Sequence, residues 1–249
     1  MNPLVQGVSK VGAYAWFAAD CVRSAFTHGV PWDRVMAESY KVGIRSFPVL
    51  FTMALFVGSN LAIQGYAAFS TLGAGSLVGM FVALAGVREV CPLLAATMVA
   101  AKAGTEMAAQ LAVMRTKEQI DAIEVMAIDP RSELVAPAII AVMLTLPALT
   151  VFTIFVSLVS SMLVAVFQLG VDRGEYLAFL VNYLSAYDLF AATVKSVFFG
   201  VVIATVSGYF GFFPDRGARG VGQATNRAVV TMCIVIITLN FALTSLLYG

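Results

Sequence analysis

Five stretches of this 249-residue chain are long and apolar enough to cross a bilayer, and no other feature limits the fold so strongly. They run approximately over residues 43–66, 76–101, 134–169, 189–213 and 228–248. A spanning helix needs about 20 mainly apolar residues. Backbone N–H and C=O groups in lipid must be satisfied within the segment, which selects helices over irregular chain. The third run is longer than one crossing requires, so it tilts, kinks at Pro147 or projects beyond the hydrocarbon. The expected fold is all-α and membrane-integral, one domain over 1–249, with an interfacial helix region at 1–42 and a five-span bundle at 43–249.

Composition agrees. Apolar residues make up 60% of the chain and charged residues 12%, with mean hydropathy +0.91, where a soluble domain has roughly 45–50% and about 25%. The net charge of +1 excludes a phosphate-neutralising nucleic-acid face. Cys21, Cys91 and Cys233 are far apart and lack metal-ligand spacing, so they are expected as free thiols. Neither a metal site nor a cofactor bound by this chain is expected. Lys10, Asp20, Arg23, Asp33 and Arg34 interrupt the start, which is expected to be retained rather than cleaved as a signal peptide.

Lys and Arg placement gives an expected orientation. Lys10, Arg23, Arg34, Lys41 and Arg45 precede the first span; Lys102, Arg115, Lys117 and Arg131 follow the second; Arg216, Arg219 and Arg227 follow the fourth. These segments read as cytoplasmic. The loop 71–76 has no charge, and 170–188 sets Arg173 against Asp172, Glu175 and Asp188, so both read as external. The N-terminus is then cytoplasmic and the C-terminus external. Val11, Tyr14, Ala18, Val22 and Phe26 recur at helical spacing beside Trp16 and Phe17, a pattern that suits a helix lying flat on the membrane or, alternatively, a poorly ordered leader.

Arg88 and Glu89 fall near the middle of the second span. A charge at mid-bilayer costs several kcal/mol, about 2.5–3.5 on insertion scales, so each must face protein, water or a polar substrate group. A functional site and an ion pair that only fixes helix packing are both open readings. Lys195, in the fourth span, is either the partner of Glu89 or a side chain reaching for the interface.

Residues 116–129 pattern as a short amphipathic helix. Thr116 and Gln119 have capping-box spacing, and Pro130 marks the end. Ile120, Ile123 and Ala127 form an apolar stripe, and Glu118, Asp121 and Glu124 an acidic one. Such a helix lies against a bilayer or docks on a soluble partner. The glycine-rich loop 208–222 lacks a phosphate-binding pattern, and no G-x-x-x-x-G-K-[ST] occurs in the chain. His28 stands alone as a surface or interfacial side chain, and no H-E-x-x-H or G-x-S-x-G supplies an enzymatic site.

Several runs carry a resemblance. Arg88-Glu89-Val90-Cys91-Pro92-Leu93, Lys102-Ala103-Gly104-Thr105-Glu106-Met107, Glu118-Gln119-Ile120-Asp121-Ala122-Ile123-Glu124 through Asp129-Pro130, and Gly217-Ala218-Arg219-Gly220 through Asn226-Arg227 are similar, in order, to the MlaE/YrbE permease family. Ile63-Gln64-Gly65-Tyr66 resembles that family's first external corner. Cys91, Lys102 and Ala138 depart from the usual residues; Lys102 keeps the charge without the arginine fork.

The resemblance implies a non-catalytic permease subunit of an inner-membrane ABC transporter. It implies a homodimer with two cytoplasmic ATPase subunits, which hold ATP and Mg, and an external ring of MCE-domain protein, moving phospholipid or related hydrophobic molecules. It makes Glu118, Gln119, Asp121 and Glu124 the ATPase-coupling residues. It places Gln64, Tyr66, Arg88 and Glu89 at a lipid cavity. An ion-coupled secondary transporter built on Glu89 and Lys195, and a purely structural membrane anchor, are the rival readings.

Overall fold

The computed structural model describes residues 12–14, 16–21, 23, 30–71, 73–215 and 217–249. Val11, Val22, Phe26, His28 and Arg216 lie outside the described residues. Residues 12–14 and 16–21 are helical. Seven helices follow: α1 (Trp32–Ser70), α2 (Gly75–Thr116), α3 (Gln119–Val125), α4 (Arg131–Gln168), α5 (Arg173–Tyr183), α6 (Ala186–Phe212) and α7 (Ala218–Tyr248). Five of them, α1, α2, α4, α6 and α7, are long and apolar enough to cross a membrane, and no strand occurs among the described residues.

The helices are longer than the apolar runs. α1 opens after Pro31, whose carbonyl accepts from the N–H groups of Arg34 and Val35 at 3.0 and 3.2 Å. Residues 32–42, expected within the interfacial region, are therefore continuous with the first span. The 39 residues of α1 reach about 58 Å at 1.5 Å per residue, well beyond a hydrocarbon core of about 30 Å. Pro147 stands inside α4 without ending it. α2 and α4 also contain stretches of wider, i to i+5 turns, at Val82–Val90, Ala100–Gly104, Arg131–Val135 and Val164–Gln168.

Contacts divide the chain into two compact units whose boundaries fall inside the long helices. One comprises Ser46–Met98, Leu146–Phe198 and Ile237–Gly249. Its core joins Ala62 of α1, Val78 and Val82 of α2, Ala165 of α4 and Tyr176 of α5. The segment 170–188, expected as an external loop, holds α5. Asp172 caps it by accepting from the N–H groups of Gly174 and Glu175 at 2.8 and 3.0 Å, which satisfies donors that a helix start leaves free. Tyr176 is fully buried, and its hydroxyl lies 2.9 Å from that of Ser161.

Close helix approach in this unit depends on missing side chains. A Cβ on Gly58 of α1 would lie 2.2 Å from the carbonyl oxygen of Ser157 on α4. One turn on, the Ser59 and Ser160 hydroxyls meet at 2.7 Å. Small residues of this kind let backbones approach where lipid offers no hydrophobic drive between helices.

The second unit comprises Met1–Arg45, Val99–Thr145 and Phe199–Ile236. Phe17 packs edge-on to Tyr209 and against Phe212, with ring centroids 5.7 and 5.8 Å apart. Asp20 pairs with Arg131, Arg34 with Glu133 at 2.8 Å, and Arg45 with Glu106. Cys21 is fully buried, and burial pushes its thiol up to about 12 with Arg131 opposing. The expected glycine-rich loop at 208–222 is mostly helical: α6 continues to Phe212 and α7 starts at Ala218.

The expected capping box at Thr116 and Gln119 does not form. Thr116 is the last residue of α2, and its hydroxyl donates to the Ala112 carbonyl at 2.7 Å. The chain turns through Glu118, which takes a left-handed φ of 59°. α3 ends at Val125, before Pro130, in a closing turn where Ile128 N–H donates to Ile123 O and Ala127 N–H to Glu124 O. Ala127 has φ 60° at the position usually filled by glycine.

Two substitutions test these local accounts. Gly58→Val should lower the thermal midpoint in detergent by the equivalent of about 1–3 kcal/mol or more, whereas Gly222→Ala, with open space around it, should not lower it. Ala127→Gly should stabilise by about 0.5–1 kcal/mol, since left-handed backbone costs alanine about 1–2 kcal/mol and glycine gives some of that back in chain entropy. A midpoint that falls with Ala127→Gly would contradict the turn geometry.

Candidate functional site

Polar side chains within the first unit meet where three apolar helices carry them. α7 contributes Asn240, Thr244 and Tyr248, spaced by four and therefore on one helical face. α6 contributes Asp188 and Lys195, two turns apart. α2 contributes Arg88 and Glu89 from its stretch of wider turns.

Lys195 is the centre. Its side chain is completely buried, and Nζ donates to Glu89 Oε1 at 3.1 Å, Thr244 Oγ1 at 2.6 Å and the Arg88 carbonyl at 2.9 Å. All three ammonium protons thus have acceptors, which is the condition for keeping a buried ammonium charged. Glu89 also accepts from Thr244 Oγ1 and Asn240 Nδ2, each at 2.7 Å, and its side chain is 36% exposed. Of the two sequence readings, partner of Glu89 holds and escape to the interface does not.

Arg88 takes a different partner. Its Nε lies 2.8 Å from Asp188 Oδ1, an ion pair by distance whose angle falls outside hydrogen-bond alignment. Its guanidinium carbon sits 4.7 Å from the centroid of the Tyr248 ring, within cation–π range. Asp188 is 1% exposed and accepts from the Tyr248 hydroxyl at 3.1 Å and the Ser185 N–H at 2.8 Å. The expectation that Asp188 is a loop charge is therefore corrected: it is a buried counter-ion. Two cations and two carboxylates make the cluster neutral. Asn240 Oδ1 is buried without a partner and so can accept from a guest donor.

Gln64 and Tyr66 have other partners: the Gln64 amide donates to Asn60, and Tyr66 packs on the core around Ala62 and Val78. Asp188, Asn240, Thr244 and Tyr248 were not singled out from sequence. The polar spacing of four in an otherwise uncharged helix was a usable signal for the last three.

In the second unit, Ile120 is fully buried and anchors α3, while Val125 and Met126 are 87% and 62% exposed. Glu118 and Glu124 are exposed, and Gln119 opens the helix. Asp121 pairs with Arg115 instead of standing free on an acidic stripe. Glu124 lines a cavity of about 510 Å³ with Arg115, Asp129 and Arg131. α3 has no side-chain cap at its N-terminus, where Glu118 is in left-handed backbone, and closes at its C-terminus through the turn at Ala127.

A bundle of five membrane-length helices with a charge-neutral polar cluster among apolar ones defines a polytopic membrane protein of the permease type. Residues 35–246 match the family model described as Permease MlaE. The chain belongs to this family. It is 33% identical over 244 residues to a probable ABC transporter permease protein of Rickettsia felis, covering 98% of this chain and 94% of the relative. It is 31% identical over 216 residues to the intermembrane phospholipid transport system permease protein MlaE of Haemophilus influenzae, covering 86% and 83%. It is 32% identical over 219 residues to the chloroplastic protein trigalactosyldiacylglycerol 1 of Arabidopsis thaliana, covering 88% and 63%.

The cluster predicts an asymmetric energetic coupling. Glu89→Gln leaves a fully buried cation and should cost about 3–5 kcal/mol. Lys195→Met leaves a partly hydrated carboxylate and should cost less. The double variant should be milder than the sum by about 0.5–3 kcal/mol, read from unfolding midpoints in one detergent. Strict additivity would show that the pair does not act as a unit.

Proposed function

We propose that this chain is the membrane-spanning subunit of an ABC transporter that moves phospholipid between the inner membrane and the outer envelope. The observation that carries the reading is the family match over 35–246 together with 31% identity to a protein named for intermembrane phospholipid transport. ATP and Mg are bound and ATP is hydrolysed by a separate ATPase subunit, and this chain is non-catalytic. The N-terminus is cytoplasmic and the C-terminus external.

The geometry supplies a mechanism for that role. α3 is short, anchored by Ile120, and exposes Val125 and Met126 beside Glu118 and Glu124. Those features suit insertion into a groove of an ATPase, so that ATPase closure moves α3. Asp121 fixes it through Arg115, and Gln119, exposed at its first turn, joins the docking surface. The Arg88/Glu89 cluster meets the lipid headgroup: Asn240 Oδ1 accepts a headgroup donor, and Arg88 supplies a cation already oriented by Asp188. Hydrocarbon tails need only apolar area, whereas one headgroup needs a few fixed polar groups. Gln64 and Tyr66 complete the cavity on the α1 side. A second copy closes the site: the apolar window of α7 is only 22% buried within one chain. An MCE-domain ring receives the lipid on the external side.

The test is a mild-detergent pull-down of the full chain with lipid extraction and mass spectrometry. Wild type should recover an ATPase, an MCE-domain protein and bound phospholipid. Glu118→Arg with Glu124→Arg, at two exposed side chains outside the Asp121–Arg115 pair, should lose the ATPase by about tenfold or more, because two reversed charges at a docking surface oppose association by several kcal/mol, with its own thermal midpoint little changed. Folded wild type that recovers no ATPase, and transport that follows an ion gradient instead, would favour a secondary transporter using Glu89 and Lys195.

A further inference from the structure

A cavity of about 710 Å³ lies in the second unit, where α6 ends and α7 begins, and neither the Glu89 cluster nor α3 uses it. One wall is aromatic: Tyr14, Tyr209 and Phe213, with the Tyr14 and Tyr209 rings edge-on at 4.2 Å and the Tyr209 and Phe213 rings tilted at 5.3 Å. α7 supplies the other side, with Asn226 and Arg227 followed one turn later by Val230 and Thr231. We infer that this cavity binds the phosphate headgroup of an anionic phospholipid, with Arg227 as the phosphate ligand and the aromatic wall against the upper chain.

Two observations carry the assignment. The cavity is graded: charged and amide side chains line it at Asn226 and Arg227, and Val230 and Thr231, with only one hydroxyl between them, line it one turn, about 5.4 Å, further on. Arg227 is the last charged residue of the chain, and everything after it is uncharged. It therefore stands at the boundary between the charged end of the bundle and the lipid-spanning part of α7, where tyrosines are also favoured.

The cation is also available. Arg227 Nη1 lies 3.2 Å from Asp215 Oδ2, and both side chains are about 60% exposed. An exposed pair of this kind contributes little and exchanges readily. The guanidinium has five donors in a planar fork, so a phosphate can be held in bidentate fashion with or without displacing Asp215. Arg227 and the aromatic wall line the same cavity, and burial raises the Tyr14 phenol, with Tyr209 adding to this and Arg227 opposing it. Arg88 and Lys195, by contrast, each face a carboxylate on a neighbouring helix in a charge-neutral cluster.

The site is independent of the transport reading, since it needs only the membrane and not the ATPase. Native mass spectrometry of the full chain in detergent tests it, using dioleoyl phosphatidylglycerol, dioleoyl phosphatidylcholine and inorganic phosphate as separate probes. Wild type should retain phosphatidylglycerol in preference to phosphatidylcholine and should retain no inorganic phosphate. Arg227→Gln should weaken phosphatidylglycerol retention about tenfold, the worth of a charge-assisted bond. Arg227→Lys should fall between, and Asp215→Asn should strengthen retention about two- to threefold by removing the competing carboxylate.

Val230→Trp, which fills the cavity without touching the charge, should also weaken retention. Glu89→Ala should preserve the difference between wild type and Arg227→Gln, which separates this site from the Glu89 cluster. With thermal midpoints matched, equal retention by wild type, Arg227→Gln and Val230→Trp would overturn the assignment. So would equal retention of the two lipids, competition by inorganic phosphate at lipid concentrations, or protection of the cavity only by a second copy of the chain.

Discussion

An ammonium group with no access to water survives inside an apolar bundle only when every proton has an acceptor and a counter-charge is close, and Lys195 meets both conditions. Those acceptors come from α2 and α7 while the lysine comes from α6, so the interaction fixes the rotation of three helices at once. Hydrophobic contact cannot do this, because lipid tails solvate a leucine as well as a neighbouring helix does. Directional bonds therefore define which faces meet. The Arg88–Asp188–Tyr248 group repeats the arrangement on the same three helices.

The rest of the packing follows a complementary rule. Where polar side chains do not hold helices together, absent side chains do, as at Gly58 against Ser157. Hydroxyls at such contacts return their donors to helix carbonyls, as Ser160 does to Leu55 at 2.7 Å. Large apolar side chains such as Phe56, Phe155 and Phe241 are left outside, 70%, 66% and 78% exposed. In water that surface would drive aggregation; in lipid it is the solvated face.

The two candidate regions have different physical characters. The Glu89 cluster is preorganised, with most of its polar atoms paired and two, Arg88 Nε and the Asn240 amide oxygen, left without a hydrogen bond. α3 is held by one buried isoleucine and an ion pair, between two residues in left-handed backbone. An element with few anchors is suited to being moved by a partner, whereas a rigid polar cluster is suited to discriminating between headgroups. The Arg227 cavity belongs to neither type, being a graded surface at the boundary of the apolar layer.

Five membrane-length helices, and the placing of Arg88 and Glu89 within the second of them, were legible from the chain, because they depend on local composition. The family resemblance was legible too, and the family match over 35–246 agrees with it. Partnership was not legible. Asp188 reads as one more acidic residue at a span's edge, and only the fold turns it inward to Arg88. Asn240, Thr244 and Tyr248 formed a visible stripe, yet nothing local says what a stripe faces. The capping box at Thr116 failed although the spacing was present: α2 runs on to Thr116, whose hydroxyl donates back to the Ala112 carbonyl within that helix. Composition and periodicity determine which segments enter the membrane, since transfer to lipid is a property of each segment alone. Which polar groups meet depends on the rotation of whole helices, and that is a property only of the assembled bundle.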